Sequence, residues 1–300
     1  MIDAAAFITA QRAEWPLAAR NFDALEGVEV RSIAMPGMDI KVQFNPARIV
    51  SSGAKVDARS LAERPCFLCE KNRPAEQRGI DWRGYTVLVN PFPIFPRHLT
   101  IPAVGHTPQR IQGRVADMLA LAAELPGYTV FYNGPRCGAS APDHMHFQAG
   151  NSDFLPIWQA LDAAPLRTVA DDGAGTRLSV CTALPVNVFV VDAATPEAGE
   201  RMFDRLYRVL PEGEEEPMMN LLAAGSRLVV VPRKRHRPSF YGTEGEGCML
   251  LSPASVDMGG AFITPRREDF DRLDAQLLAR VFDELCLDTE QIEVISNKVS

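Results

Sequence analysis

Residues 143–148, with the sequence Asp-His-Met-His-Phe-Gln, constrain the fold more than any other part of the chain. Successive side chains of a β-strand point to opposite faces, so residues two apart share a face. If the segment is a strand, His144, His146 and Gln148 lie on one face, where a core strand would carry Val or Ile. Two imidazoles and a carboxamide in a row can bind a metal, attack phosphorus or hold a phosphate oxygen. The alternative is that two of the chain's five His fall two apart by chance.

Hydrophobic patterns predict further elements around this segment. Residues 85–90, 98–102, 128–133 and 143–149 are typical of strands. A helix is predicted from Thr107-Pro108 to Leu125, since Thr can cap a helix and Pro suits its first turn. Upstream, the patterns predict a helix over 3–25, strands at 28–33 and 40–44, and an irregular polar stretch over 45–83. The result is a strand–strand–helix–strand–strand unit.

The second half of the chain repeats this pattern weakly. Residues 226–232, with the basic run 233–237, echo residues 98–102 and the segment after them. Residues 250–264 predict more strand and 267–286 a terminal helix, while the acidic run 212–216 is typical of a solvated loop. No His-x-His occurs in this half. We therefore predict a duplication, with a catalytic half over residues 1–155 and a degenerate half over 156–300. The basic run is either a solvated loop or an anion-binding segment that reaches the site.

The residues around the His segment resemble a known family. The similarity is to the histidine-triad superfamily, and more narrowly to its nucleotidyltransferase branch. That branch carries His-x-His-x-Gln and includes galactose-1-phosphate uridylyltransferase, diadenosine tetraphosphate phosphorylase and GDP-hexose phosphorylases. The motifs concerned are Asn133-Gly134, Gly138-Ala139-Ser140, His144-Met145-His146-Phe147-Gln148 and the segments 85–93 and 97–102. Residues 107–111 and 146–149 look closest to the GDP-hexose phosphorylase group.

The resemblance spans residues 40–155 and implies an α+β fold. Two histidine-triad-like halves would form a mainly antiparallel sheet with flanking helices. His146 is the expected nucleophile: it needs one ring nitrogen with a free lone pair and the other donating to an acceptor, in relatives a backbone carbonyl. Gln148 would donate an amide N–H to a phosphate oxygen. Because Gln148 has no ionisable proton, it favours transfer to phosphate rather than to water.

Other polar residues are expected around the phosphates. Glycines let the backbone approach a phosphate closely, and neutral side-chain donors stabilise developing charge. These considerations select Asn133, Gly134 and Ser140, for which the alternative is an ordinary Asn-Gly hairpin turn. Among basic residues we favour Arg48 and Lys55 as substrate-binding groups. The other candidates are Arg64, Arg73 and Arg136.

Cys66 and Cys69 form a Cys-x-x-Cys pair. Structural zinc is tetrahedral with sulfur and nitrogen ligands, so the pair needs two more, and the candidates are His106 and His144. Metal-binding members of the family use a His just past the strand at 98–102, which favours His106 over its rival His98. The ion would be structural Zn²⁺ that holds His144 still. The alternatives are a redox pair, which normally begins a helix after a strand, and two structural thiols.

Bulk composition excludes several classes of protein. With 46% hydrophobic residues, 300 residues can bury a large core. The net charge of −7 gives no general attraction for a polyphosphate backbone, so no nucleic-acid partner is expected. No apolar run approaches the roughly 20 residues of a membrane helix, so no membrane partner is expected either. The N-terminus lacks the basic stretch of a signal peptide. Six Cys are too few for a disulfide scaffold, which predicts a cytoplasmic protein with reduced thiols.

These observations predict a nucleotidyltransferase of the phosphorylase type. The expected donor is a nucleoside diphosphate-sugar, with a GDP-hexose favoured, the acceptor is phosphate, and the intermediate is a nucleotidyl-His146. The enzymatic alternatives are a dinucleoside polyphosphate phosphorylase and a sugar-1-phosphate uridylyltransferase. The non-enzymatic alternative is a nucleotide-binding, zinc-stabilised interaction protein. Relatives often pair as dimers, so a homodimer is possible.

Overall fold

A computed structural model describes residues 2–49, 63–242, 244–245 and 247–299. Its N-terminal part holds two helices, α1 (Ala4–Glu14) and α2 (Pro16–Asp23), where the sequence predicted one over 3–25. Asp3 caps α1 by accepting the N–H of Ala6 at 3.0 Å. The break falls at Trp15 because Pro16 has no N–H with which to continue the helical ladder, although it suits the first position of a new helix.

The strands follow the predicted positions closely, with a few exceptions. The strands at 28–33, 40–44, 85–90, 98–102 and 128–133 are confirmed, whereas the stretch 45–83, predicted to be irregular, contains a strand at its end. The bounds are β1 (Glu29–Ile33), β2 (Ile40–Phe44), β3 (Gly79–Trp82), β4 (Tyr85–Val89), β5 (His98–Pro102), β6 (Tyr128–Asn133), β7 (His146–Asn151), β8 (Arg167–Asp171), β9 (Arg177–Cys181), β10 (Val188–Asp192), β11 (Met219–Ala224), β12 (Arg227–Pro232) and β13 (Ala261–Thr264).

Ten strands form one sheet whose order shows two equivalent halves. The order is β3-β4-β5-β7-β6-β11-β12-β10-β9-β8, and every neighbouring pair is antiparallel. Read from either edge, the first, second, third, fifth and fourth strands of each half follow one another. The fold is therefore α+β with two histidine-triad-like halves, joined at the β6–β11 ladder. The predicted equivalence of residues 226–232 with residues 98–102 was wrong. Residues 226–232 form β12, which is the equivalent of β7, and the equivalent of β5 is β10.

The registers define this equivalence residue by residue. Phe131 lies opposite Gln148 in its own half and opposite Leu222 across the centre. Leu222 in turn lies opposite Val229. The Phe131–Leu222 pair therefore marks a pseudo-two-fold axis, and Val229 is the counterpart of Gln148. By the same count Arg227 is the counterpart of His146, since they pair with the last residues of β10 and β5 respectively.

The helices cover both faces of the large sheet. The remaining helices are α3 (Val115–Glu124), α4 (Ile157–Ala163), α5 (Pro196–Tyr207), α6 (Ser255–Met258), α7 (Arg267–Arg272), α8 (Ala275–Leu285) and α9 (Thr289–Val299). One core lies under α1, α3, α5 and α9, and a second lies between the opposite face and the small sheet β1-β2-β13 with α4, α7 and α8. In that small sheet β13 of the second half runs parallel to β2 of the first.

Three further element predictions were wrong in extent. The helix expected from Thr107 begins at Val115, because residues 107–114 form turns that include Gly113 at φ +75°. Of the strand expected over 250–264 only β13 exists, since residues 255–258 form α6. The terminal helix expected over 267–286 is split into α7 and α8, where the Asp274 side chain accepts the N–H of Leu277 at 2.8 Å and starts a new helix. No helix in the described part of the chain has both the length and the apolar character to span a bilayer.

Candidate active site

A cavity of about 480 Å³ lies on the sheet face that carries Phe131, and both halves of the chain line it. This volume is within the usual range for small-molecule sites, about 300–1,000 Å³. The first half contributes His146, Gln148, Asn133 and Ser140. The second half contributes the side chains His236, Arg237, Leu250, Ser252, Ala254, Val256, Asp257 and Ile263.

The two His of the motif do not share a face, which corrects the prediction of one strand over 143–149. The N–H of His144 donates to Ala141 O at 3.1 Å, a turn bond, and β7 begins only at His146. His146 and Gln148 line the cavity, whereas His144 turns its ring toward the Cys pair. The segment thus serves two sites that lie on either side of Met145.

His146 is held in the tautomer that a nucleophile requires. Its side chain is 3% exposed, and its Nδ1–H donates to the carbonyl oxygen of His144 at 2.8 Å. Nε2 then carries the lone pair, and no described residue bonds to it. Burial lowers the pKa of His146 to about 4, so the ring is neutral at pH 7.

Gln109, which sequence reasoning did not select as a site residue, fixes the start of β7. Its Oε1 accepts the backbone N–H of His146 at 2.7 Å. Its Nε2 donates to the carbonyl oxygens of His146 and Asn133, each at 3.0 Å. Gln109 is fully buried and so ties the ends of β6 and β7 together. The sequence feature that could have indicated Gln109 was its position within residues 107–111, a segment that resembles the GDP-hexose phosphorylase group.

His98 orients the carboxamide of Gln148. The N–H of Ile94 donates to His98 Nδ1 at 3.2 Å, so the ring proton lies on Nε2. Nε2–H donates to Gln148 Oε1 at 3.0 Å, which leaves the Gln148 amide N–H groups to face the cavity. Burial, and next the nearby Arg48, lower the pKa of His98 to about 3. The neutral ring is therefore a permanent donor to Gln148.

Asn133 is oriented by residues of the second half. Its Oδ1 accepts the Asn220 amide at 3.0 Å, the N–H of Ser255 at 2.8 Å and the Ser255 hydroxyl at 2.6 Å. The Asn133 amide nitrogen is thus the group left to donate into the cavity. Arg233, buried behind it, donates to Asn220 Oδ1. The first residue of the basic run 233–237 is therefore a positioning group.

The structure brings only part of the predicted phosphate set to the cavity. Ser140 and Arg48 line it, but Gly134 does not: its N–H donates to Met219 O at 3.2 Å, and a Cβ there would lie 2.8 Å from that oxygen. Gly138 takes its place in the lining, with φ +97°. Arg48 is half-buried and donates to Phe92 O at 2.8 Å; burial lowers its pKa to about 10. Lys55 lies outside the described residues.

The remaining candidate cations are placed differently. Arg64 lines the cavity and donates to Ser140 O at 2.8 Å. Arg136 forms an exposed ion pair with Glu214 at 2.8 Å. Arg73 lines a second groove, beside β3 and β4. Of the basic run, His236 and Arg237 reach the cavity, which decides against a purely solvated loop.

The acidic run 212–216 is not wholly solvated either. Glu216 is 4% exposed and accepts the Tyr132 hydroxyl at 2.6 Å and the N–H of Ile111 at 3.0 Å. Burial raises its pKa to about 7. Glu216 therefore braces β6 from the face opposite the cavity.

Cys66, Cys69, His106 and His144 come together beside the cavity, with their ligand atoms all within 4.8 Å of one another. Cys66 Sγ lies 3.3 Å from His144 Nδ1, and Cys69 Sγ lies 3.2 Å from His106 Nδ1. A tetrahedral zinc ion with bonds of about 2.0–2.3 Å would separate its ligand atoms by about 3.3–3.8 Å. Among the described residues this is the one group of three or more such side chains arranged for a metal.

The tautomer of His144 also fits a metal ligand. Its Nε2–H donates to Ala103 O at 2.8 Å, so Nδ1 presents a lone pair to the two sulfur atoms. The structure places His106 in this group and His98 outside it, beside Gln148. Cys66 and Cys69 are free thiols rather than a disulfide.

Two family models match the chain. One, described as a domain of unknown function (DUF4922), matches residues 7–151. The other, the GDPGP1-like C-terminal domain, matches residues 160–300. No curated protein matches the chain in sequence.

Solved structures with the same fold include the crystal structure of yeast Ap4A phosphorylase Apa2. It is 19% identical, with a TM-score of 0.61 over 91% of this chain and 97% of Apa2. The complex of Apa2 with Ap4A gives the same identity and coverage and a TM-score of 0.60. An ADP-glucose phosphorylase from Arabidopsis thaliana is 14% identical, with a TM-score of 0.39 over 83% of this chain and 99% of that one. The likeness to Apa2 shows that the two proteins share a fold.

Proposed function

We propose that this chain, which matches the GDPGP1-like C-terminal domain model over residues 160–300 and shares the fold of Ap4A phosphorylase Apa2, is a nucleotidyltransferase of the His-x-His-x-Gln branch of the histidine-triad superfamily. We propose further that it is a phosphorylase that acts through a covalent nucleotidyl-His146. One observation carries the proposal. The Nδ1–H of His146 donates to the His144 carbonyl at 2.8 Å, so Nε2 keeps its lone pair. The ring is buried and lines the cavity.

In the proposed first step, Nε2 of His146 attacks the α-phosphorus of the donor. The N–P bond forms as the bond from that phosphorus to its bridging oxygen breaks, and the rest of the donor leaves with its phosphate. The ring gains positive charge during attack, which the His144 carbonyl stabilises through Nδ1–H. Gln148, oriented by His98, and Asn133, oriented by Ser255, donate neutral N–H groups to the phosphate oxygens.

In the second step, an oxygen of inorganic phosphate attacks the nucleotidyl phosphorus. The N–P bond breaks, and a nucleoside diphosphate is released with His146 neutral again. Neither Gln148 nor Asn133 can remove a proton from water, whereas phosphate already carries negative charge and needs no base. This difference supports phosphate rather than water as the acceptor.

The donor is proposed to be a nucleoside diphosphate-sugar, with a GDP-hexose favoured. The GDPGP1-like model over residues 160–300 supports this choice. A dinucleoside polyphosphate is the second candidate, supported by the shared fold with Apa2, which has been solved in complex with Ap4A. In either case Trp15, Leu17 and Phe92 supply apolar lining suited to a nucleobase. Arg48 and Lys55 remain proposed substrate-binding groups.

We propose that the cluster of two Cys and two His side chains beside the cavity, called the metal group below, holds structural Zn²⁺. Cys66, Cys69, His106 and His144 supply the sulfur and nitrogen ligands that zinc prefers. The ion would add rigidity, since all four positions are protein ligands and none is left for substrate. His144 would then hold its own carbonyl, the acceptor for His146, in a fixed place.

Mass spectrometry after incubation with GDP-sugars, UDP-sugars and diadenosine polyphosphates tests the proposal. We expect a mass increase of one nucleoside monophosphate with the correct donor, lost in acid as a P–N bond should be, and absent in His146→Ala. The mass identifies the base. If several nucleotides bind and none modifies the protein, the chain is a nucleotide-binding protein and the enzymatic proposal is wrong.

A further inference from the structure

Arg237 is an arginine of the second half with a defined orientation and no carboxylate partner among the described residues. It lines the cavity together with His146. Its Nε donates to the Ser252 hydroxyl at 3.1 Å, and its guanidinium stacks over Tyr241 with Cζ 4.0 Å from the ring centroid. No described carboxylate forms an ion pair with it, so the terminal N–H groups remain for a ligand.

Arg64 occupies a comparable position in the first half. It also lines the cavity, and its Nη2 donates to the backbone oxygen of Ser140 at 2.8 Å. Its guanidinium lies 5.2 Å over the Phe67 ring, and its buried Nε has no described hydrogen-bond partner. Within the described part of the chain Arg64, like Arg237, makes no ion pair with a carboxylate.

A third arginine of the cavity differs from these two. The buried carboxylate of Asp257 also lines the cavity, and its charge acts on Arg48. The carboxylate accepts the N–H groups of Ala254 at 2.8 Å and Ile263 at 3.3 Å, which holds it in place. The positive charge of Arg48 is thus partly offset, whereas no described carboxylate forms an ion pair with Arg64 or Arg237.

The turn at 138–140 connects Arg64 to Arg237 through a chain of contacts along the cavity that both arginines line. A Cβ on Gly138 would lie 2.6 Å from Ala254 Cβ and 3.7 Å from His236 Nε2, so this turn touches the second half directly. Arg64 bonds Ser140 at one end of the turn. Ser252 joins His236, at 2.9 Å, to Arg237 at the other.

We propose that Arg64 and Arg237, one from each half, bind the acceptor phosphate of the phosphorylase reaction. The inference rests on the proposed function and deepens it. Inorganic phosphate carries between one and two negative charges at neutral pH, since its second pKa lies near neutrality, and two guanidinium forks match its oxygens in charge and geometry. Because the intermediate forms before phosphate binds, the same pair would first hold the phosphate of the departing group.

The test begins with nucleotidyl-enzyme prepared from the donor that modifies the protein and freed of excess donor. Loss of the adduct is then followed by mass spectrometry against the concentration of inorganic phosphate. Arg64→Gln and Arg237→Gln should each raise the half-saturating phosphate concentration by about 10-fold or more, the effect of one lost charge-assisted contact. Loss of the adduct to water, in buffer without phosphate, should stay within about two-fold of wild type, because water needs no anion site.

Three variants serve as controls. Arg64→Lys and Arg237→Lys keep the charge without the fork, so they should lie between wild type and the Gln variants. Arg136→Gln removes an arginine of the neighbouring turn that pairs with Glu214 and does not line the cavity, and it should leave phosphate saturation unchanged.

The inference is overturned if phosphate saturation is unchanged in both Gln variants, or if water and phosphate reactions slow equally, as a structural role would cause. If wild type forms no adduct with any donor, the proposed function itself fails, and the inference falls with it. The two failures are therefore distinguishable, since in the first the adduct still forms.

Discussion

The two halves of the large sheet have the same strand order and opposite uses for the same positions. In the first half His146, Gln148 and His98 form the floor of a cavity. At the equivalent register positions the second half has Arg227, Val229 and Val188. Both valines are fully buried in the core against the small sheet and its helices. A repeated backbone thus supplies a cavity where its side chains are polar and a packed core where they are branched and apolar.

The second half nevertheless takes part in the site. It orients Asn133 through Asn220 and Ser255, and it lines the cavity with Arg237 and Asp257. We therefore propose the division into a catalytic half over residues 1–155 and a degenerate half over 156–300 with one refinement. The second half supplies no nucleophile, but its residues are needed to line the cavity.

The same substitution at equivalent positions of the two halves should have very different effects. His146→Gln should lower the rate of nucleotidyl transfer by on the order of 10⁴-fold or more, as removal of a nucleophile does. Arg227→Gln should change it less than about three-fold, because the described partners of Arg227 are the surface carboxylates of Asp192 and Asp162, at 2.7 and 2.9 Å. Steady-state release of nucleoside diphosphate measures both. Comparable losses in the two variants would show that the halves share the chemistry.

Metal content offers the second contrast, since among the described residues the metal group belongs to the first half alone. Cys66→Ser should reduce bound zinc from one ion to none and lower activity by about 10- to 100-fold, the usual effect of disturbing a support of this kind. Cys248→Ser, a half-buried thiol of the second half, should leave both unchanged. Elemental analysis of the purified proteins measures the metal. Equal zinc in wild type and Cys66→Ser would exclude the Cys pair as ligands.

The orientation of Gln148 provides a third test. His98→Phe keeps an aromatic ring beside Phe95 and Phe131 but removes the donor to Gln148 Oε1. We expect kcat to fall about 10- to 100-fold, as for other small misplacements of reacting groups, with bound zinc and KM nearly unchanged. His98→Gln, which can again donate an N–H, should recover part of the loss. A variant that alters KM alone would show that His98 contributes only to binding.

The smallest effect concerns pH. The pKa of His98 falls from 6.5 to about 3 on folding. Below pH 6.5 the His98 ring is therefore protonated in the unfolded chain but stays neutral in the folded protein. Stability should therefore decline as pH falls from 6.5, with this residue contributing about 1.4 kcal/mol per pH unit. Denaturant unfolding at pH 7, 6 and 5 should give a shallower decline for His98→Phe. Metal release affects both proteins alike, so parallel declines would contradict the shifted pKa.

Much of this site was predictable because its chemistry is local in sequence. His146 and Gln148 lie two residues apart on one strand, and the spacing of Cys66 and Cys69 is that of a metal pair. The start of β7 was misplaced because Gln109, distant in sequence, binds the backbone there. His236, Arg237 and Asp257 could not be assigned because their approach depends on how the second half folds over the first. The role of His98 depends on a bond from Ile94 that no spacing reveals.

The antiparallel β6–β11 ladder has the symmetry of a contact between two identical subunits, yet both strands belong to one chain. Covalent linkage makes their meeting independent of protein concentration, so dilution cannot dismantle the cavity that spans them. It also allows a mutation to change one half without changing the other, which is impossible when both halves are copies of one subunit. A homodimer, if one forms, would need a surface other than the facing edges of these two strands, because their backbone groups already hydrogen-bond to each other.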